Sequence, residues 1–301
     1  MPVRQAARCG PVSSPRGAAP TDFAAAERPR ACAARGDALR ALGWAVAAST
    51  LHRVRRGEGA LLAINLSLIV WHGDALAVRG LAQALVSVFA ILVMYAFNDL
   101  YDAPADRNNP KKDQALIRAW VAHRRAGVVA TCGLKLATLA IAAATLGAGP
   151  TLAVAAVMTV NLVYSTRLKG VPVADVVVVW TWGSLYAAIV DASFALMVLV
   201  GVMTGICHLF QALDDRAPDA ANGIATTAVR SPTLPRNVLA ALTVVLFATL
   251  HGFLGPAAAC TAVAPLAIYA AIADAGTGWL LTKAYFAVVW LAVLGTARAA
   301  G

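Results

Sequence analysis

Two short acidic stretches hold the residues best suited to chemistry. The first reads Asn98-Asp99-Leu100-Tyr101-Asp102-Ala103-Pro104-Ala105-Asp106. Asp99, Asp102 and Asp106 are three and four residues apart, a spacing that gathers them on one helical face. Pro104 cannot continue the hydrogen-bond ladder, so a helix is expected to kink or end there. The second stretch reads Gln211-Ala212-Leu213-Asp214-Asp215-Arg216-Ala217-Pro218-Asp219. Asp215 and Asp219 again share a face. The two stretches match position by position: Asn98 with Gln211, Leu100 with Leu213, Asp102 with Asp215, Asp106 with Asp219 and Asn109 with Asn222. This is a weak internal repeat.

Facing carboxylates with nothing between them repel. Mg²⁺ relieves the repulsion, because it takes oxygen ligands and bridges carboxylates to phosphate oxygens. Lysines and arginines nearby supply charge-assisted hydrogen bonds to further phosphate oxygens. The expected ligand is therefore a diphosphate held through magnesium. The plainer alternative is that the aspartates cap helix ends. A helix C-terminus carries partial negative charge, so acidic side chains there are poorly explained as caps.

These carboxylates must be positioned by apolar elements. Of 301 residues, 60% are hydrophobic and only 13% charged, with a mean hydropathy of +0.70. A soluble domain needs more polar surface than this. The expected fold is all-α: a polytopic membrane protein with nine transmembrane helices, spanning 59–77, 79–99, 125–147, 150–167, 172–191, 193–213, 236–254, 257–274 and 277–297. About 20 helical residues rise about 30 Å, enough to cross the hydrocarbon core. Both acidic stretches then fall at the same end of even-numbered spans. His72, Asp74 and Asp191 mark two of the breaks.

Alternate loops are basic: Arg53, Arg55 and Arg56; Arg107 to Arg125; Arg167 and Lys169; Arg216, Arg230 and Arg236. The opposite loops are short, with Arg79 their only basic residue. The positive-inside rule puts the N-terminus and the acidic stretches in the cytoplasm. The formal charge of +10 thus reads as topology and phosphate binding, and nucleic acid is not an expected partner. Residues 1–56 are expected to form a basic, largely disordered cytoplasmic segment and 57–301 the transmembrane domain. Within that segment 38–52 would form a surface helix with Leu39, Leu42, Ala45 and Val46 facing lipid. The five cysteines lack metal-ligand spacing and read as small hydrophobes.

The chain resembles the UbiA-type intramembrane prenyltransferase superfamily. Asn98, Asp99, Asp102 and Asp106 match its first motif, N-D-x-x-D-x-x-x-D, and Asn109-Pro110-Lys111 continues in family style. Asp215 and Asp219 match its second motif, with Gly223, Thr226 and Thr227 following. Tyr164-Ser165-Thr166-Arg167-Leu168-Lys169 is similar to the family's Tyr and Lys segment. There are departures: Gln114-Ala115-Leu116 where Arg-Pro-Leu is common, and Gln211-Ala212 where an acid or Asn is common. Tyr164 to Lys169, with Val171 to Asp175, also resembles the branch that transfers phosphoribose to polyprenyl phosphate; that branch tends to lose the second motif.

The resemblance implies that the nine helices surround a central cavity, and that the protein carries out Mg²⁺-dependent prenyl transfer from an isoprenoid diphosphate to a small acceptor, aromatic or otherwise. Asp99, Asp102, Asp106, Asp215 and Asp219 would be the catalytic metal ligands. Asn98, Lys112, Tyr164, Arg167 and Lys169 would bind diphosphate. Tyr95, Trp180, Trp182 and Tyr186 could stabilise an allylic cation through their ring faces. Asn65, Asn161 and His208 face either the cavity or a neighbouring helix. Lys135 snorkels or pairs within the bundle, and Asp175 caps the fifth span. The alternatives are an intramembrane terpene cyclase, the phosphoribosyl branch, and a non-catalytic transporter.

Overall fold

A computed structural model describes residues 31–56, 58–73, 75–109 and 112–299. Residues 1–30, Gly57, Asp74, Pro110, Lys111, Ala300 and Gly301 lie outside the described residues. Packing divides the chain after Asp37, and residues from Ala38 onward form one unit. Among the described residues the regular structure is entirely helical.

Helix α1 (Ala31–Arg55) crosses that boundary, and α2 (Ala60–Trp71) and α3 (Val78–Asp102) follow. Next come α4 (Gln114–Ala122), α5 (Arg124–Thr145), α6 (Ala148–Val163), α7 (Ala174–Ala188) and α8 (Phe194–Asp214). Two short helices, α9 (Arg216–Ala221) and α10 (Thr227–Arg230), lead to α11 (Leu234–Ala259), α12 (Ala264–Ala271) and α13 (Ala275–Ala299). Asp113 starts α4 by accepting from the backbone N–H groups of Ala115 and Leu116, at 2.9 and 3.2 Å. Ser193 caps α8 through the N–H of Leu196. Both use the ordinary N-cap geometry that satisfies orphan donors.

Among the described residues, six helical stretches are long and apolar enough to cross a bilayer: α3, α5, α6 with the turn after it, α8, the stretch from α11 to α12, and α13. The nine expected spans reduce to six by this measure for physical reasons. Helix α2 has 12 residues and α7 has 15, short of the roughly 20 a straight span needs. The spans at 236–254 and 257–274 fall in one 38-residue stretch. It is interrupted where expected: Gly255 takes φ 80°, a left-handed conformation that suits glycine, and Pro256 follows.

The tightest helix pair is α7 against α8. Glycines make it possible, since a Cβ at Gly201 would collide with Ser184 and Trp180, and one at Gly183 with Thr204. Small residues at such seams let helix backbones approach in lipid, where packing rather than hydrophobic burial drives association. Hydroxyls inside the helices are satisfied locally: Thr131, Thr138, Thr243 and Thr282 each donate to the carbonyl four residues back. Asn65 does not face the cavity. Its Nδ2 donates to Ser87 Oγ and the Tyr186 carbonyl, and Tyr186 Oη donates to the Ser87 carbonyl, tying α2, α3 and α7 together. Asp191, at φ 56°, accepts from Arg79 at 2.7 Å and Gln83 at 2.9 Å. Arg79 begins α3, so this pair closes the end remote from the acidic stretches.

Helix α1 corrects one expectation. It is helical over 38–52, but Leu42, Ala45 and Val46 are buried against Ala96, Leu100, Ile117 and Trp120. The exposed apolar side chains are Leu39, Trp44, Leu51 and Val54. Of the face expected to meet lipid, Leu39 is exposed as anticipated, while Leu42, Ala45 and Val46 pack among apolar residues of α3 and α4.

Candidate active site

A cavity of about 480 Å³ opens between α2, α3, α6, α7, α8 and α13. Asn98 and Asp102 reach it from the last turns of α3, and Asp106 from the 3₁₀ turn after Pro104. Asp215 stands at the junction of α8 and α9, and Asp219 on α9. The two acidic stretches therefore face one space. Lys112, Tyr164 and Lys169 also line it. Tyr164 and Lys169 share a lining for a local reason. Residues Tyr164–Leu168 form a π-helical turn, closed by Lys169 N–H to the Tyr164 carbonyl at 3.0 Å. Five residues apart in a regular α-helix they would point well apart; the wider turn brings them into register. Such π turns are frequent at functional sites.

Two expected residues stand elsewhere. Asp99 is outside the cavity lining and accepts from the guanidinium of Arg53, through Nε at 3.2 Å and a short Nη2 contact. The face predicted to carry all three aspartates splits within α3 itself: Asp102 turns to the cavity and Lys169, and Asp99 to Arg53 of α1. Arg167 is exposed on the π turn and does not line the cavity. Of the expected aromatics, Tyr95 and Trp182 line it, in edge-to-face contact at 6.2 Å. Trp180 packs near Gly201 and Tyr186 is fully buried.

Sequence reasoning missed Glu58 and Lys283, and read Arg53 only as a topology charge; all three line the cavity. Arg53 bridges Asp99 and Glu58, the latter at 2.8 Å. Glu58 holds a further contact to Arg56 at 3.6 Å. The signal for Glu58 was available: it is a lone acid in an otherwise basic stretch, two residues before an apolar helix. Lys283 lies over the Trp279 ring at 3.5 Å and donates to the Arg56 carbonyl at 2.7 Å. Asp175 is no simple cap. It is completely buried and accepts from the backbone N–H and hydroxyl of Thr227. This fastens the start of α7 to the segment after the second acidic stretch.

Charge is distributed unevenly between the two stretches. Each aspartate of the first has a cation: Asp99 has Arg53, Asp102 has Lys169, and Asp106 has Lys112 at 3.8 Å. Among the described residues no ion pair reaches Asp215 or Asp219, and Asp215 Oδ1 is buried without a hydrogen-bond partner. Burial pushes the Asp219 carboxyl up to about 6, with Asp215 and Asp102 adding like charge against the pull of Lys169 and Lys112. Burial also raises Asp106, with Asp102 adding to the shift. For Glu58 burial opposes ionisation, yet Arg53 and Arg56 hold it below its ordinary value. Burial likewise opposes the charge on Lys169, but Asp102 beside it holds the ammonium above its ordinary value.

The donor set fits a hard divalent cation. Every candidate ligand is a carboxylate oxygen, and Asp215 Oδ1 is an orphaned buried acceptor of the kind a bound ion satisfies. In the arrangement present, among the described residues, no three acidic, His or Cys groups are gathered closely enough to hold an ion. The reason is visible in the first stretch, where lysine and arginine already occupy the carboxylates.

The profile of the UbiA prenyltransferase family matches residues 60–287. The chain is a member of that family. It is accordingly an integral, multi-pass membrane protein of the UbiA fold. Solved UbiA homologs from Archaeoglobus fulgidus share the architecture. One, bound to DMAPP and Mg²⁺, superposes with a TM-score of 0.56 at 21% identity, covering 80% of this chain and 97% of that one. Another, bound to GPP and Mg²⁺, gives a TM-score of 0.57 at 19% identity, covering 80% and 98%. At these identities the likeness concerns the fold. A curated relative, the lycopene elongase/hydratase of Halobacterium salinarum, is 33% identical over 159 residues, 49% of this chain and 57% of the relative. The match thus spans little more than half of that protein.

Proposed function

We propose that this UbiA-family protein ionises an isoprenoid diphosphate at the cytoplasmic end of its cavity and transfers the prenyl group to an acceptor bound beside it. One observation carries the reading: two acidic segments, far apart in sequence, face one cavity whose deeper walls are apolar and aromatic. In this reading all nine expected segments cross the membrane around that cavity. Helices α2 and α7 are shorter and contribute to its wall, and Gly255–Pro256 separates two spans. The basic loops and both acidic stretches lie in the cytoplasm, as the positive-inside rule requires.

Asp102, Asp106, Asp215 and Asp219 would hold Mg²⁺, with Asn98 beside them, and Asp99 would act through Arg53. When bound, the ion supplies positive charge to the departing diphosphate. Lys112 and Lys169 neutralise the remaining phosphate charge, which is electrostatic stabilisation of a leaving group. Tyr164 closes the wall between Lys169 and His208. Below them, Tyr95 and Trp182 present ring faces and edges to the allylic cation and exclude water from it. Two features favour an elongated, apolar acceptor: the aromatic depth of the cavity, and the partial match to a lycopene elongase/hydratase. A terpene cyclase would use the same ionising end without an acceptor.

The test is diphosphate release by the purified protein in detergent, with a panel of isoprenoid diphosphates, with and without Mg²⁺. Asp102→Ala and Asp215→Ala should each lower magnesium-dependent release by roughly 100-fold or more, the scale of losing one electrostatic stabiliser. Product analysis then separates transfer from cyclisation. Release that ignores magnesium, or survives both substitutions, would overturn the ionising site.

A further inference from the structure

Lys135 lies midway along α5, among Ala, Leu and Thr residues in a membrane-crossing helix. An ammonium at that depth is expensive and calls for a partner. Its Nζ lies 3.6 Å from the centroid of the buried Phe97 ring and donates to Asn161 Oδ1 at 3.0 Å. Among the described ion pairs none includes Lys135. Asn161 is on α6, is buried, and lines the cavity.

The pairing has a directional consequence. An ammonium only donates, so the oxygen of the Asn161 amide must face Lys135. The amide NH₂ is then turned away from Lys135, on a side chain of the cavity wall. An asparagine alone could present either end; Lys135 makes it a fixed donor. Nearby stands His208, whose Nε2 is buried without a partner and whose ring also lines the cavity. Tyr164, one turn beyond Asn161, meets the His208 ring edge-on at 6.1 Å, so the two walls adjoin. A neutral imidazole nitrogen can accept. Asn161 precedes Lys169, and His208 precedes Asp215, by about two helical turns, or about 10–12 Å. That is the depth of a prenyl group's first carbons when its diphosphate lies among the carboxylates.

We propose that Asn161 and His208 form a second polar layer that binds a hydroxyl group, the oxygen accepting from the Asn161 amide and the O–H donating to His208, with Lys135 as the positioning residue. The inference rests on the prenyl-transfer reading of this cavity. It gives the second substrate a chemical class: the hydroxyl of an otherwise apolar acceptor, or a water molecule held to meet the cation.

The first arm needs no turnover. Binding of 4-butylphenol and of its methyl ether is measured by calorimetry on the full chain, at one detergent concentration. The phenol is expected to bind about tenfold more tightly than the ether, the lower scale of discrimination by a paired hydroxyl. The preference should fall to twofold or less in Asn161→Leu and in Lys135→Met, and return in Lys135→Arg, which keeps the donor. Equal binding of both probes to the wild type overturns the proposal, as does a preference that survives both substitutions. Because no diphosphate or magnesium is present, failure of the ionising site cannot produce either result.

The second arm separates the sources of the hydroxyl. Geranyl diphosphate and Mg²⁺ are supplied in H₂¹⁸O, and the ratio of labelled alcohol to diene is read. A tenfold fall in Asn161→Leu assigns the layer to water. An unchanged ratio in that variant, where the wild type shows the phenol preference and the variant has lost it, assigns the layer to the acceptor's own hydroxyl.

Discussion

Replacing Lys169 by methionine should destabilise the magnesium-free protein far more than it destabilises the magnesium-bound one. Lys169 is paired with Asp102, and their side chains keep 26% and 9% of their surface accessible. Removing one member of a buried pair leaves the other charge uncompensated, at a cost of about 3–5 kcal/mol. The partial exposure of Lys169 places the loss at the lower end, about 3 kcal/mol, or about a hundredfold in the folding equilibrium. For a domain of this size that corresponds to a fall of roughly 6–12 °C in Tm. Magnesium should reverse much of it, because in the variant the ion alone compensates Asp102, whereas in the wild type it competes with Lys169. The assay is thermal unfolding in detergent, followed by tryptophan fluorescence, over a magnesium titration. Two results would refute the reasoning: a variant as stable as wild type without magnesium, or one that magnesium stabilises no more than it stabilises wild type. Diphosphate release should fall in the same variant even when its stability is restored, because Lys169 is also assigned to the leaving group.

Asp219 gives a pH dependence. Its carboxyl is raised to about 6, so the folded protein holds this proton more tightly than an unfolded chain, whose value is about 3.9. Stability from this group is present below about pH 4 and lost as pH rises through 6. A bound ion needs the carboxylate, so magnesium affinity should weaken as pH falls below about 6. A magnesium titration by thermal shift should show this dependence flattened in Asp219→Asn. Asp99→Asn should reduce diphosphate release less than Asp102→Asn, because Asp99 faces Arg53 outside the cavity lining; equal losses would place Asp99 among the ion's ligands. Gly201→Val should cost about 1–3 kcal/mol by overpacking the α7–α8 seam, read as a lowered Tm, whereas Gly252→Ala, with open space around it, should change Tm little.

The all-helical bundle was legible because apolar runs and alternating basic loops repeat the same topology. The break at Gly255–Pro256 and the turn at Asp191 were legible because glycine, proline and a polar residue interrupt apolar stretches there. Helix length resisted this reading, since a hydropathy run over residues 59–77 does not say that regular helix stops at Trp71. The aspartate spacing announced a site but hid its division. Residues three apart still differ by about 60° around a helix axis, and Arg53 takes Asp99 while Lys169 takes Asp102. Lys169 was within reach through its tyrosine segment, yet the π turn that places it depends on tertiary packing, and no residue pattern signals it. Lys135 shows the opposite case. Its presence in an apolar run was plain, but its partner Asn161 lies 26 residues away on another helix, and only the packing of α5 on α6 brings them together.

The charges around the cavity bear on the proposed diphosphate site and on whether a cation would arrive with its ligand. Among the described lining residues, five carboxylates (Glu58, Asp102, Asp106, Asp215 and Asp219) face four cations (Arg53, Lys112, Lys169 and Lys283). The lining is thus close to neutral and slightly negative. A site that bound diphosphate through lysine and arginine alone would need a clear positive excess, and the aspartates would be a handicap to it. The carboxylates make sense if positive charge enters with the polyanion and is shared between its oxygens and theirs. The internal lysines then have two successive roles. They hold the first acidic stretch folded while no ion is bound, which spares the bilayer-facing bundle an uncompensated buried charge. If an ion took over the carboxylates, the same ammonium groups would be free to meet the phosphate oxygens of the proposed substrate. The second stretch has no such internal cations among the described residues, and its orphaned Asp215 Oδ1 makes it the side on which an ion gains most by binding. An ion-by-ion titration of Asp102→Asn against Asp215→Asn would read this directly, with the larger loss of magnesium affinity expected in Asp215→Asn.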